Sequence, residues 1–269
     1  MSSFLYGAHV RANGIRQHYL RFGGRGEPLI VVPGVVTPAI LWSHVAERLG
    51  DFFDTYLLDV RGRGLSESGD HLDYGFDSCA DDLAAFIDDM KLAGVTIVGH
   101  SMGARIALRL TRRSGAKVQR LVMLDPPTSG PGRRPYPIAM ERSRQLVEAC
   151  KRGEGEAYLR SPGVARWPEP LLRQRAEWGG TCDLRALEVA YRDFHEQDPF
   201  EDLKLTRADV SLIVAGASGV VSEEDIEAFR SVCPQLSVCV IPGAAHQFQA
   251  ENCDEFMEAL GAMLRIALR

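Results

Sequence analysis

Residues Val95–Leu110 read VTIVGHSMGARIALRL. A short apolar run of strand type leads into Gly99-His-Ser-Met-Gly103, and an amphipathic stretch of helix type opens at Met102. In a strand-to-helix turn this sharp, the central Ser101 is held in a strained backbone conformation, and the glycines two residues to either side keep side chains off the neighbouring strand and helix. The hydroxyl is thereby presented to solvent, with its backbone N–H near a helix N-terminus. A G-x-S-x-G string in an arbitrary loop is a weak signal. Its place after a buried strand and before a helix is what carries weight.

The same apolar run recurs on both sides of this segment, at Leu29–Val32, Thr55–Val60, Leu121–Asp125, Ser211–Ala215 and Val238–Ile241. Continuous apolar runs of this length are expected of strands covered on both faces, as in a parallel sheet. Amphipathic stretches separate most of them: 41–49, 79–90, 102–113, 222–232 and 254–268. Alternation of this kind predicts a mostly parallel, doubly wound α/β sheet with helices on both faces. Ahead of it, Asn13-Gly14 between two β-like runs predicts a tight hairpin forming an antiparallel edge. The alternation breaks from Pro126 to about Arg207, where Pro, Gly and Arg are frequent and no apolar strand run occurs. That predicts a core of residues 1–126 and 208–269 and a helical lid over 127–207. The clearest lid helix starts after Asp183, a good N-cap, and puts Leu184, Leu187, Tyr191 and Phe194 on one stripe.

The composition bounds the rest. The 269 residues are 45% hydrophobic, enough for one large core. Lys and Arg number 31 against 36 Asp and Glu, a net charge of −5 that argues against a nucleic-acid partner. Six scattered cysteines, with no C-x-x-C pair, read as buried free thiols, which suits a reducing, cytoplasmic setting. No apolar stretch is long enough to span a membrane and no signal-peptide pattern opens the chain.

A serine hydroxyl needs an imidazole base. Of the seven histidines, His246 lies in the loop between the last strand run and the final helix, at the edge where Ser101 emerges. His100 should point away from Ser101, His9, His18, His44 and His71 belong to the N-terminal part of the chain, and His195 is a surface residue of the lid or touches substrate. The base in turn needs a carboxylate to hold its tautomer. In the common pattern of such a sheet this acid follows the next-to-last strand, but Gly219 stands there. Asp125, at the end of the preceding run, is the expected acid, with Asp225 and Glu223 as lesser candidates. Two backbone amides would stabilise an oxyanion, each by roughly 3–4 kcal/mol: that of Met102, and that of Val35 in the loop after the first run, where Gly34 allows a close approach. In DVRGRGLSESG, Asp59–Gly69, the glycines fit neither phosphate-binding fingerprint, and Asp59 with Arg61 reads as a structural ion pair. Arg133 and Arg134, where the chain enters the lid, are either solvated or placed to meet a substrate carboxylate.

The G-x-S-x-G elbow, the late histidine, the D-x-R-G-x-G-x-S loop and the insertion, in that order, resemble the α/β-hydrolase family over essentially the whole chain. The resemblance implies a serine hydrolase with Ser101 as nucleophile, His246 as base and Asp125 as acid. It implies neither cofactor nor metal, and it narrows to enzymes that cleave the C–N amide bond of a small polar acid. The alternatives on this scaffold are an esterase, a lactonase, a C–C bond hydrolase and a ligand receptor without hydrolysis.

Overall fold

A computed structural model of the chain describes residues 2–114, 117–162, 164 and 167–268. The strands are β1 (Phe4–Ala12), β2 (Ile15–Phe22), β3 (Pro28–Val32), β4 (Asp54–Leu58), β5 (Val95–His100), β6 (Val118–Leu124), β7 (Asp209–Ala215) and β8 (Ser237–Ile241). The helices are α1 (Ser43–Leu49), α2 (Phe76–Asp89), α3 (Met102–Ser114), α4 (Met140–Lys151), α5 (Gly155–Leu159), α6 (Glu169–Trp178), α7 (Leu184–Glu196), α8 (Pro199–Leu205), α9 (Glu223–Val232), α10 (Phe248–Glu251) and α11 (Cys253–Leu264). No helix among the described residues is long and apolar enough to cross a membrane.

All eight strands form one sheet in the order β1-β2-β4-β3-β5-β6-β7-β8. β1 and β2 form the expected antiparallel hairpin, its turn made by Asn13 and Gly14 at φ 50° and 76°. β2 joins β4 antiparallel, and every pairing from β4 to β8 is parallel. Alternate residues of the apolar runs serve opposite faces. Ile30, Tyr56, Ile97, Met123 and Leu212 join the core beneath α2, α3 and α9, whereas Leu29, Leu57, Val98, Val122 and Ile213 join the core beneath α1 and α11. Both faces are covered, which is why the sequence shows runs rather than alternation. β8 departs from this. It is the sheet edge, and Val240 is left 45% exposed. The six cysteines are free thiols; Cys79, Cys182 and Cys233 are buried, but Cys150, Cys239 and Cys253 are only half-buried.

The segment between β6 and β7 holds α4–α8 and, among the described residues, no strand. α7 is capped by the Asp183 carboxylate, as its sequence predicts. It is tied to the core at both ends. The Asp193 carboxylate accepts the Phe76 N–H at 2.9 Å, and Asp183 accepts the Tyr74 hydroxyl at 2.9 Å. Between them the buried Arg63 donates to the Ala186 carbonyl at 2.8 Å and to the Val35 carbonyl at 3.1 Å. α8, inside the insertion by sequence, packs on the core instead. The Phe200 ring lies 4.6 Å from that of Phe229 on α9, and Asp202 pairs with Arg109 of α3 at 2.8 Å.

One expected ion pair is replaced, and two arginines expected to be solvated or to face substrate find a partner within the protein. Arg61 pairs with Asp82, while Asp59 accepts from His18 Nδ1 at 2.7 Å and from the Ala39 and Leu65 amides. Arg133 and Arg134 both turn to Asp225. That carboxylate closes the capping box of α9 with Ser222 and accepts the Thr128 hydroxyl at 2.8 Å, so it ties the start of the insertion to the loop after β7. Burial raises the pKa of Asp225, but hydrogen bonds from Ser222, Arg134 and Thr128 outweigh it and hold the carboxyl below its ordinary value. A lowered pKa means that the stabilisation is complete above the unfolded value near 3.9 and is lost as pH falls through the folded one. Asp225→Asn should therefore cost about 1–3 kcal/mol at pH 6. The gap in Tm between wild type and variant should close as pH drops below about 4; a gap constant from pH 6 to 3 contradicts this account.

Candidate active site

Ser101 follows β5 directly and sits at φ 52°, in the left-handed region that a serine rarely occupies. Its N–H continues the β5–β6 ladder to the Leu124 carbonyl at 2.8 Å, which holds the residue in place. The elbow closes tightly. A Cβ on Gly103 would collide with the Val32 carbonyl, one on Gly99 would lie 2.7 Å from Ala104 Cα, and one on Gly34 would lie 3.0 Å from His100 Nδ1. Ser101 is 1% exposed, so its hydroxyl meets a covered cavity and not bulk solvent.

The next strand ends the same way. Asp125 follows β6 at φ 44°, its N–H bonded to the Ile213 carbonyl of β7 at 2.8 Å. Its Oδ1 accepts the Ala215 N–H at 3.2 Å and its Oδ2 lies 2.7 Å from His246 Nδ1. His246 Nε2 is 3.0 Å from Ser101 Oγ. With Nδ1–H donated to the fully buried carboxylate, the Nε2 lone pair is left to accept the serine proton. An arrangement of this kind removes a proton from a hydroxyl and returns it to a leaving group. Of the lesser acids, Asp225 serves α9 and the arginines, and Glu223 is an exposed first-turn residue of the same helix.

Other side chains hold this group. His100 does diverge from Ser101. Its buried ring donates from Nε2 to the His246 carbonyl at 2.9 Å, and burial, then the nearby His246, push its pKa well below the ordinary value, so it stays neutral. Tyr136, between β6 and α4, brings its hydroxyl within 3.3 Å of His246 Nε2, and burial keeps that hydroxyl protonated. His195 does not line the cavity. Its Nδ1–H donates to the Tyr191 carbonyl at 2.7 Å, and its Nε2 accepts the Tyr136 N–H at 3.3 Å.

A cavity of about 250 Å³ opens over Ser101, between the loop after β3 and the insertion. Its polar lining includes Tyr136, Arg142, Arg175, Trp167 and Glu251. Neither Arg133 nor Arg134 reaches it. Val35 and Gly34 line it as well, and the Val35 carbonyl is turned toward Arg63. The Met102 N–H opens α3, where the first N–H groups of a helix have no acceptor within it. Sequence reasoning missed Arg142, Arg175, Trp167 and Glu251. Three of these come from the insertion, whose patterns show helices but not what they face.

Comparison with known proteins follows this geometry. The profile of the alpha/beta hydrolase family matches residues 29–259. The chain is 46% identical over 268 residues, 98% of each chain, to the N-formylmaleamate deformylase of Pseudomonas putida KT2440. It is 27% identical over 242 residues, 84% of each chain, to the 2-(acetamidomethylene)succinate hydrolase of Mesorhizobium japonicum. The crystal structure of the N-formylmaleamic acid deformylase of Pseudomonas putida S16 superposes with a TM-score of 0.89 at 41% identity, covering 95% of this chain and 100% of that one. The chain is a member of the α/β-hydrolase family.

Proposed function

We propose that the protein is a cofactor-free deformylase that hydrolyses N-formylmaleamate to maleamate and formate, with Ser101, His246 and Asp125 as its catalytic triad. The observation that carries the chemistry is the continuous hydrogen-bonded chain Asp125–His246–Ser101 on the floor of a small covered cavity. Support for the substrate comes from the deformylase relatives, which match over nearly the full length. A cavity of about 250 Å³ suits a small acid and lies below the usual range for drug-sized ligands. Residues 127–207, apart from α8, act as the lid, over a core of 1–126 and 208–269.

In this reading His246 Nε2 takes the Ser101 proton as Oγ attacks the formyl carbon. The oxyanion that forms accepts hydrogen bonds from the N–H groups of Val35 and Met102, preorganised at the ends of the β3 loop and of α3. His246 then protonates the departing nitrogen, and maleamate leaves. Because that nitrogen is also bound to a second carbonyl, its developing charge is delocalised and its expulsion is easier than that of a simple amine. Water, deprotonated by His246, attacks the formyl ester on Ser101 and releases formate. Asp125 holds the imidazole in the required tautomer and stabilises the imidazolium.

Formate release from N-formylmaleamate, against other N-formyl amides and ester controls, tests the reading directly. Ser101→Ala should lower kcat by about 10⁶-fold and abolish labelling by a fluorophosphonate; activity within tenfold of wild type removes Ser101 as nucleophile. Asp125→Asn should lower kcat by roughly 10⁴-fold, because an amide favours the wrong tautomer of the histidine. Asp225→Asn should stay within threefold of wild type. The reverse order of damage would place the acid after β7.

A further inference from the structure

We propose that Arg175 is the anion-recognising residue of the cavity, its guanidinium receiving the substrate carboxylate and thereby setting the register in which the formyl carbon meets Ser101. This deepens the deformylase reading and rests on it for the identity of the substrate.

Charge balance singles out Arg175. A guanidinium taken out of water is costly unless acceptors meet it. The fully buried arginines obey this rule, and Arg175, half-buried with its Nε out of reach of water, does not. Arg61 faces Asp82, Arg63 donates to the carbonyls of Val35, Arg61 and Ala186, and Arg105 donates to those of Pro127, Ser129 and Gln197. Arg175, on α6, makes no side-chain hydrogen bond or ion pair among the described residues, and its Nε is buried without a partner. Its desolvation brings its pKa down to about 10, which leaves it cationic at neutral pH.

The guanidinium is nonetheless fixed. It stacks 4.2 Å from the centre of the Trp167 ring, and the indole N–H of Trp167 is held by Glu251 at 3.2 Å. All three side chains line the cavity that has Ser101 on its floor. Glu251 attracts the Arg175 guanidinium through space, but its carboxylate is engaged by the Trp167 indole and makes no ion pair with the cation; burial raises its pKa. The site therefore holds an oriented, half-buried cation with donors to spare. A carboxylate is the group whose geometry matches a guanidinium edge. Arg142 lines the same cavity from α4, and Arg175 is distinguished from it by its orphaned Nε.

Two readouts test this, one of them independent of turnover. Wild type, Arg175→Met, Arg175→Lys and Arg142→Met are compared for kcat/KM on N-formylmaleamate and on its uncharged methyl ester. Each is also labelled at Ser101 with a fluorophosphonate in the presence of maleate. Arg175→Met should lower the acid-to-ester ratio of kcat/KM at least tenfold, mainly through KM for the acid, and raise at least tenfold the maleate concentration that halves labelling. Arg175→Lys, which keeps the charge but loses the planar edge, should fall between. Ratios and protection within threefold of wild type in both Arg175 variants overturn the proposal, as does a loss confined to Arg142→Met. Should Arg175→Met not fold by circular dichroism, the Lys variant decides. If wild type releases no formate but maleate protection still depends on Arg175, the substrate assignment fails and the anion site stands.

Discussion

Two neighbouring strands of this sheet end on residues forced into left-handed backbone, Ser101 after β5 and Asp125 after β6, and the site depends on that pair of corners. Each such residue costs on the order of 1–3 kcal/mol and persists only where its surroundings over-determine it. The surroundings here are the sheet itself. The N–H of each corner residue bonds to the next strand, so the ladder runs one residue beyond the strand while the chain has already turned away. Two side chains from adjacent strands thus leave the same edge of one rigid layer. The imidazole of His246, delivered after the edge strand β8, spans the distance between them.

Much of this was legible in the sequence, for a physical reason. Strands buried on two faces must be apolar at every position, and helices lying on them must be apolar on one stripe, so the period of the hydrophobic residues reports the layers. β8 escapes the rule because Val238–Ile241 has the composition of a buried strand while its place in the order, which no local pattern encodes, leaves it at the rim. Ser101 was legible because a sharp corner demands glycines at fixed spacing. Asp125 was legible because no carboxylate stands at Gly219.

What escaped belongs to side chains whose partners lie far away in sequence. Arg61 was expected to meet Asp59, two residues away, yet it crosses to Asp82 on α2, and Asp59 takes His18 and two amides. Arg133 and Arg134 stand near the site along the chain, but Asp225, some ninety residues on, draws both away from it. Trp167 and Arg175 sit in the insertion with nothing in their local pattern to say that they turn inward. A helix stripe says that a face is covered; it does not say by what.

The fastening of α7 gives the covering segment an asymmetry. Raising α7 would take the Ala186 carbonyl from Arg63, whose guanidinium also holds the Val35 carbonyl, and would leave the Phe76 amide without its acceptor. Among the described residues, the half made of α4 to α6 carries no such ties to Arg63, Phe76 or Tyr74. One half of the cover is thus fastened to the loop after β4 and to α2, and the other, which carries Arg142 and Arg175, meets α10 through Trp167. The cations of the cavity are therefore mounted on its cover, while Gly34, Val35 and Ser101 belong to the frame beneath it, so a change of sequence in the cover can alter what the cavity attracts without moving the serine.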